Sequence, residues 1–172
     1  MSKKIQHRLY VDTALPGDGS LTLGPDQSHY LANVMRARTG DQVALFNGRD
    51  GEWASEIAAV QKKAVTLRLE SRIREQRTEP DLWLAFAPIK KARLDFMAQK
   101  ATELGVSHMV PMLTRRTIVD RVKTDRLFAN AVEAAEQCER LNVPTIGEPV
   151  KLEKLIADWP MDRKIMFCDE DL

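Results

Sequence analysis

Long apolar runs are missing from this sequence. The longest, Leu82 to Ile89, has eight residues, whereas a helix crossing a bilayer needs roughly 20, so no membrane span is expected. The basic N-terminal residues are followed by neither an apolar stretch nor a small-residue cleavage site, which argues against a secretory signal and for the cytoplasm. Cysteine is scarce as well: Cys138 and Cys168 stand thirty positions apart, with no CxxC pair and no nearby pair of histidines. Metal-ligand spacing is therefore absent, no metal is expected, and both thiols read as reduced and partly buried.

The chain also lacks an excess of either charge. Its 26 basic and 25 acidic side chains leave a net charge of +1, and the halves are no different: residues 1–80 carry 12 and 10, residues 81–172 carry 14 and 15. Affinity for a polyanion must then come from local clustering. No GxxxxGK[ST] loop, GxGxxG turn, Ser/His/Asp set or Cys/His set occurs, so self-contained catalytic machinery is not readable. His7 and His29 read as hydrogen-bonded structural residues.

What the chain does have is two rhythms. Up to residue 69 it reads as short strands at residues 7–11, 21–23, 42–46, 52–60 and 64–69, with Asn47-Gly48 and Asp50-Gly51 marking a turn around Arg49. One short helix interrupts them, capped by Asp26 or Ser28 and stopped near Gly40. The sum is a small β barrel-like module. Residues 70–80 (ESRIREQRTEP) are charged, lack apolar periodicity and end in proline, which makes them the linker candidate.

Beyond Pro80 strands alternate with helices. Residues 82–87 form an apolar run of the kind covered on both faces in a parallel sheet. Leu94, Met97, Ala98, Ala101 and Leu104 follow at helical spacing and Gly105 supplies a stop. Residues 108–113 give a second strand. Thr124 caps a long helix with an apolar side of Leu127, Phe128, Ala131, Val132, Ala135, Cys138 and Leu141, and residues 164–168 give a third strand. This is an α/β pattern with a mostly parallel sheet.

Two basic clusters stand out. Lys90, Lys91, Arg93 and Lys100 open and follow the first helix of the second half; Arg115, Arg116, Arg121, Lys123 and Arg126 follow its second strand. Either set suits phosphate contacts or an ordinary solvated surface. On the long helix Glu133, Glu136, Gln137 and Arg140 fall at i, i+3, i+4 and i+7. That spacing gives one polar face, with a Glu136–Arg140 pair, that serves solubility or lines an interface.

Several of these segments recur together in one family: His7-Arg8, HYLANVMR over residues 29–36, Phe46-Asn47-Gly48, KKARLDFMAQKATELGV over residues 90–106, Pro111, and EAAEQCER over residues 133–140 with Val143-Pro144. Together they resemble the RsmE family of 16S ribosomal RNA uridine-N3 methyltransferases, in the SPOUT superfamily. The resemblance implies an α+β PUA-like β-barrel that helps bind RNA (residues 1–73), a linker (74–80), and the N-terminal part of an α/β SPOUT domain of trefoil-knot type (81–172). It implies S-adenosylmethionine as cofactor, 16S ribosomal RNA or the small ribosomal subunit as substrate, and a homodimer.

On that basis Arg8, Arg36, Lys90, Lys91, Arg93, Arg115 and Arg116 are the candidates for RNA contact. Glu136, Gln137 and Arg140 are the candidates for a polar face near the active site. The family's GPEGG-type loop has no counterpart here, so cofactor-binding residues are expected beyond Leu172, in a chain cut short before the knot and inactive alone. The alternatives are a non-catalytic RNA-binding module and a small α/β scaffold whose basic loops are only surface.

Overall fold

The computed structural model describes residues 5–15, 17, 19–62, 64–117, 119 and 121–168, with Lys91 described by its backbone alone. Two sheets divide the chain as its two rhythms suggest. The first contains β1 (Ile5–Tyr10), β2 (Gly19–Thr22), β3 (Gln42–Phe46), β4 (Glu52–Gln61) and β5 (Ala64–Arg74), in the order β1-β3-β4-β5-β2. β1 runs parallel to β3, and the other neighbours are antiparallel.

β3 lies between β1 and β4, and every one of its residues is buried. Successive side chains of a strand point to opposite faces, so Val43 and Leu45 enter the main core with Leu9, Leu31, Ile57, Val65 and Leu67, while Phe46 enters a second cluster on the other face. The turn after β3 is built by Asn47, whose Oδ1 accepts the Arg49 and Asp50 amides at 2.9 Å and whose Nδ2 donates to Asp50 Oδ2 at 2.7 Å. Gly51 ends it at φ +80°, where a Cβ would collide with the Arg74 carbonyl.

The short helix α1 (Pro25–His29) is entered from Gly24 with Pro25 in its first turn, and neither Asp26 nor Ser28 caps it. Ser28 instead lies buried inside the helix. Its hydroxyl donates to the Leu23 carbonyl and accepts the Val65 amide, fastening α1 to β5. The helix continues as a π-helical turn over Tyr30–Val34, followed by Arg36 at φ 56°. β5 runs through Arg74, so residues 70–74 of the expected linker are strand, held by antiparallel pairing with β4 as far as Glu52.

The second sheet is parallel. β6 (Trp83–Phe86) pairs β7 (His108–Leu113), whose other edge is shared by β8 (Thr145–Ile146) and β9 (Val150–Lys151). α2 (Lys91–Glu103) and α3 (Thr124–Gln137) pack together, and α4 (Leu152–Ala157) follows β9. Gly105 takes φ 92° just after α2, as its stop position requires. Leu94, Ala98, Ala101, Met109 and Leu127 make the core.

Several expectations need correction. α3 starts at Thr124, so the cap position is Lys123, and no side chain caps it. Cys138 and Cys168 are both exposed. Residues 164–168 are not a strand: they pair with no strand among those described, although β6 and β8 each have a neighbour on one side only. Ile165, Met166 and Phe167 consequently stand 59%, 87% and 79% exposed. Before this segment, Arg163 is pinned by an ion pair to Asp81 and lies over the Trp83 ring at 4.0 Å. β8, β9 and α4 were not anticipated, because elements this short leave little periodicity to read.

Candidate RNA interface and interdomain seam

In open α/β sheets ligands gather beyond the carboxyl ends of the strands. β6 ends at Phe86, which pairs in register with Pro111 of the adjacent β7. The chain leaving β6 leads to Lys90, Lys91 and Arg93 at the start of α2, and the chain leaving β7 turns at once through Arg115 and Arg116. Two clusters more than twenty residues apart in sequence therefore share one edge of the sheet. Lys90, Arg93, Arg115 and Arg116 are exposed. The turn beneath the arginines is held by Thr117 Oγ1, which accepts the Thr114 amide at 2.8 Å. Arg126 does not join them: it forms a pair with Asp95 of α2. Lys100 is likewise paired with Glu103.

Arg36 is exposed on the first domain. Arg8 is placed quite differently, with its guanidinium turned inward. It pairs with Glu52, donates to the Ala135 carbonyl at 2.6 Å and the Arg140 carbonyl at 2.8 Å, and lies over the Phe46 ring at 3.7 Å. With its donors used inside the protein, Arg8 is not disposed to meet a phosphate. Burial pushes the Arg8 guanidinium below its ordinary value, opposed by its bond to Glu52. Burial also pushes Glu52 up, but the hydrogen bonds from Arg74 and Arg8 outweigh it and hold the carboxyl below its usual range.

The polar face expected on α3 is divided. The helix stops at Gln137 and Glu139 adopts φ 60°, so Arg140 leaves the helical path and forms no pair with Glu136. Arg140 binds Glu79 through Nε at 2.7 Å and donates to the Thr102 carbonyl at 2.8 Å, with its side chain only 7% exposed. Glu136 accepts the Tyr10 amide at 2.9 Å, and burial raises its pKa. Gln137 is exposed.

These contacts form a seam between the domains. Cross-strand register puts Arg8, Tyr10, Phe46, Glu52 and Arg74 on the sheet face away from the main core. Against that face lie Ala135, Leu141 and Val143, and Tyr10 meets Phe128 edge-on at 6.0 Å. Arg74 donates to the Glu139 carbonyl, and Gln76 donates to Asn142 at 2.7 Å. Sequence reasoning missed Tyr10, Glu52, Arg74 and Glu79. The available signal was parity: in register, Glu52 faces the same side as Phe46.

Two grooves of about 440 Å³ each open beside the seam, one lined by Gly48, Arg77 and Asn142, the other by Leu82, Leu104 and Cys138. They approach β6 and β7 from the amino ends, through Asp81, Leu82, Gly105 and Ser107. Neither sits at the carboxyl edge, so these grooves do not fit a methyl-donor site there.

A parallel α/β domain with exposed cations at the carboxyl ends of its strands is thus fastened to a small β domain. A family model described as RNA methyltransferase domain matches residues 75–171, and one described as RNA methyltransferase PUA domain matches residues 23–70. The chain belongs to this RNA methyltransferase family. Among relatives, ribosomal RNA small subunit methyltransferase E of Rickettsia conorii is 32% identical over 148 residues, which are 86% of this chain and 61% of that protein. A methyltransferase from Legionella pneumophila, solved in complex with its bound cofactor SAM, superposes with a TM-score of 0.81 at 29% identity over 88% of this chain and 65% of that one. Ribosomal RNA small subunit methyltransferase E from Neisseria gonorrhoeae, solved with S-adenosyl methionine, shares the fold at a TM-score of 0.82 and 23% identity, over 90% and 66% of the two chains. This chain thus spans 61% of the Rickettsia relative's length.

Proposed function

We propose that this chain captures RNA for an S-adenosylmethionine-dependent methyltransferase that modifies N3 of a uridine in 16S ribosomal RNA, free or within the small subunit. The observation that carries the proposal is the meeting of the Lys90–Arg93 and Arg115–Arg116 clusters at the carboxyl ends of two adjacent parallel strands. Cations so placed neutralise phosphates next to the edge where an α/β enzyme holds its reacting groups. The names of the relatives supply the substrate class and the cofactor.

The chemistry sets the demands on the protein. Uracil N3 is protonated at neutral pH and engaged in any base pair, so the base must be unpaired and its proton removed. Extruding the nucleotide costs a few kcal/mol, which phosphate contacts on both domains offset. The cofactor supplies the methyl group, and the residues present here bind and orient RNA. In this reading the sheet of the first domain curls as a PUA-like barrel, a trefoil knot completes the second, and the enzyme works as a cytoplasmic homodimer. Residues 1–172 alone bind RNA without transferring a methyl group, since the sequence contains no glycine-rich cofactor loop.

The test is RNA affinity measured against salt concentration for the wild type and for Arg115→Ala/Arg116→Ala. Each lost phosphate contact lowers the log–log slope by about 0.7 to 0.9, so the double variant should lose about 1.4 to 1.8. An unchanged slope would mean these arginines are ordinary surface.

A further inference from the structure

We propose that Arg8 and Arg140 are positioning residues: the seam they tie holds the two domains in one orientation, so that cations on both engage a single RNA at once. This rests on the RNA reading above and adds what the seam does for it.

Three observations carry the inference. First, the bonds that cross the seam are concentrated on a few side chains. Arg8, from β1, reaches the carbonyls of Ala135 and Arg140, and Glu136 reaches back to the Tyr10 amide. Arg140 closes the other side by binding Glu79 of the connecting segment and Thr102 at the end of α2. Second, the guanidinium of each is withdrawn from solvent, with side-chain exposures of 12% for Arg8 and 7% for Arg140. Buried cations with several fixed acceptors resist rotation in a way that surface pairs do not. Third, an apolar cluster of Phe46, Ala135 and Leu141, with Tyr10 and Val143 against it, lies beneath them. Apolar contact gives the seam adhesion without direction, and the guanidinium forks add direction.

The consequence for RNA is one of effective concentration. When two binding surfaces are joined rigidly at the right spacing, binding at the first makes the second intramolecular, and affinity rises by about 10²- to 10⁴-fold over either surface alone. A loosened seam loses part of that gain although every phosphate-binding cation is still in the chain, because fewer of them engage one RNA at the same time. The EAAEQCER run, whose Glu136, Gln137 and Arg140 the resemblance made candidates for a polar face near the active site, would then act through orientation. Its Glu136 and Arg140 bind the neighbouring domain and the connecting segment.

The experiment combines two measurements on the 172-residue chain. Residual dipolar couplings from residues 5–74 and 81–163 report whether one alignment tensor fits both domains. Affinity for protein-free 16S ribosomal RNA, measured against salt, reports RNA capture. The variants are Arg8→Met, the milder Asn142→Ala in case the first fails to fold, and Arg115→Ala/Arg116→Ala as a control. The expected result is one tensor for the wild type and the control, and two tensors for the seam variants. Seam variants should also bind RNA at least about tenfold more weakly, with a shallower salt slope. Seam variants that need two tensors but bind RNA with wild-type affinity and slope would overturn the inference. So would seam variants that are folded and still fit one tensor. A wild type that fits one tensor but shows no salt-dependent RNA binding would instead remove the RNA reading, and this inference with it.

Discussion

Replacing Glu52 with glutamine tests the energetics of the seam directly. Its side chain is 6% exposed and its two oxygens serve two cations, Arg8 on Oε1 and Arg74 on Oε2 at 2.6 Å. The amide fills the same space and keeps one acceptor, so packing is preserved. What is lost is the charge that neutralises the buried Arg8 guanidinium. Removing one partner of a buried pair costs about 3 to 5 kcal/mol. Arg74 is 39% exposed and recovers hydration, which places the expected loss near the lower end, about 3 kcal/mol. For a chain of this length that corresponds to a fall in Tm of roughly 6 to 12 °C.

The dependence on conditions identifies the cause. Because the folded state holds Glu52 below its ordinary pKa, its stabilisation is present above the unfolded value and is lost as pH falls through the folded one. The difference between wild type and Glu52→Gln should be constant from about pH 5.5 to 8 and shrink below about pH 4. Raising the salt concentration should leave it nearly unchanged, since buried pairs are poorly screened. Urea denaturation followed by circular dichroism, at several pH values and two salt concentrations, supplies the data. A loss below about 1 kcal/mol, the size of a surface pair, would refute the reasoning, and so would a loss that salt largely removes.

Glu136 should behave in the opposite sense. Burial raises its pKa despite the Tyr10 amide and nearby Arg8, so its charged form opposes folding above the folded pKa, and that penalty vanishes below the unfolded value. Thermal melts should find Glu136→Gln at least as stable as wild type at pH 8, with no advantage at pH 4. Gly51→Ala should cost about 2 kcal/mol or more by the same melts, because alanine is strained at φ +80° and its Cβ meets the Arg74 carbonyl. Calorimetry should detect no S-adenosylmethionine binding by residues 1–172, and micromolar affinity would show that the pocket has been misplaced.

The elements that were legible in the sequence are those whose pattern is local. β3 matched the reading at both ends because five consecutive residues sit between a glycine turn and a second turn signal; β4 was found between turn signals too, and α2 by the helical spacing of Leu94, Met97, Ala98, Ala101 and Leu104. Residues 164–168 failed for a related reason: β-forming composition is a local property, whereas a strand exists only where its backbone pairs with another, and these residues pair with no described strand. Apolar content at Ile165, Met166 and Phe167 does not by itself supply that pairing.

The candidate site divides along the same line. Arg115 and Arg116 were found because a basic pair directly after a strand is a local feature, and topology brought the Lys90 cluster to the same edge. Arg8 and Arg140 were singled out too, but their surroundings were not readable, since their partners lie 127 and 61 residues away at Ala135 and Glu79. Helical spacing alone put Arg140 on one face with Glu136; a single left-handed residue, Glu139, separates them. An arginine's sequence neighbourhood therefore does not distinguish a cation facing a phosphate from one that binds carbonyls and a carboxylate inside the fold. Burial does distinguish them, because a guanidinium withdrawn from water must find its acceptors within the protein. By that criterion Arg115 and Arg116, both exposed, are disposed to meet an anion from solution, while Arg8 joins the first domain to the second and Arg140 joins the second to the connecting segment.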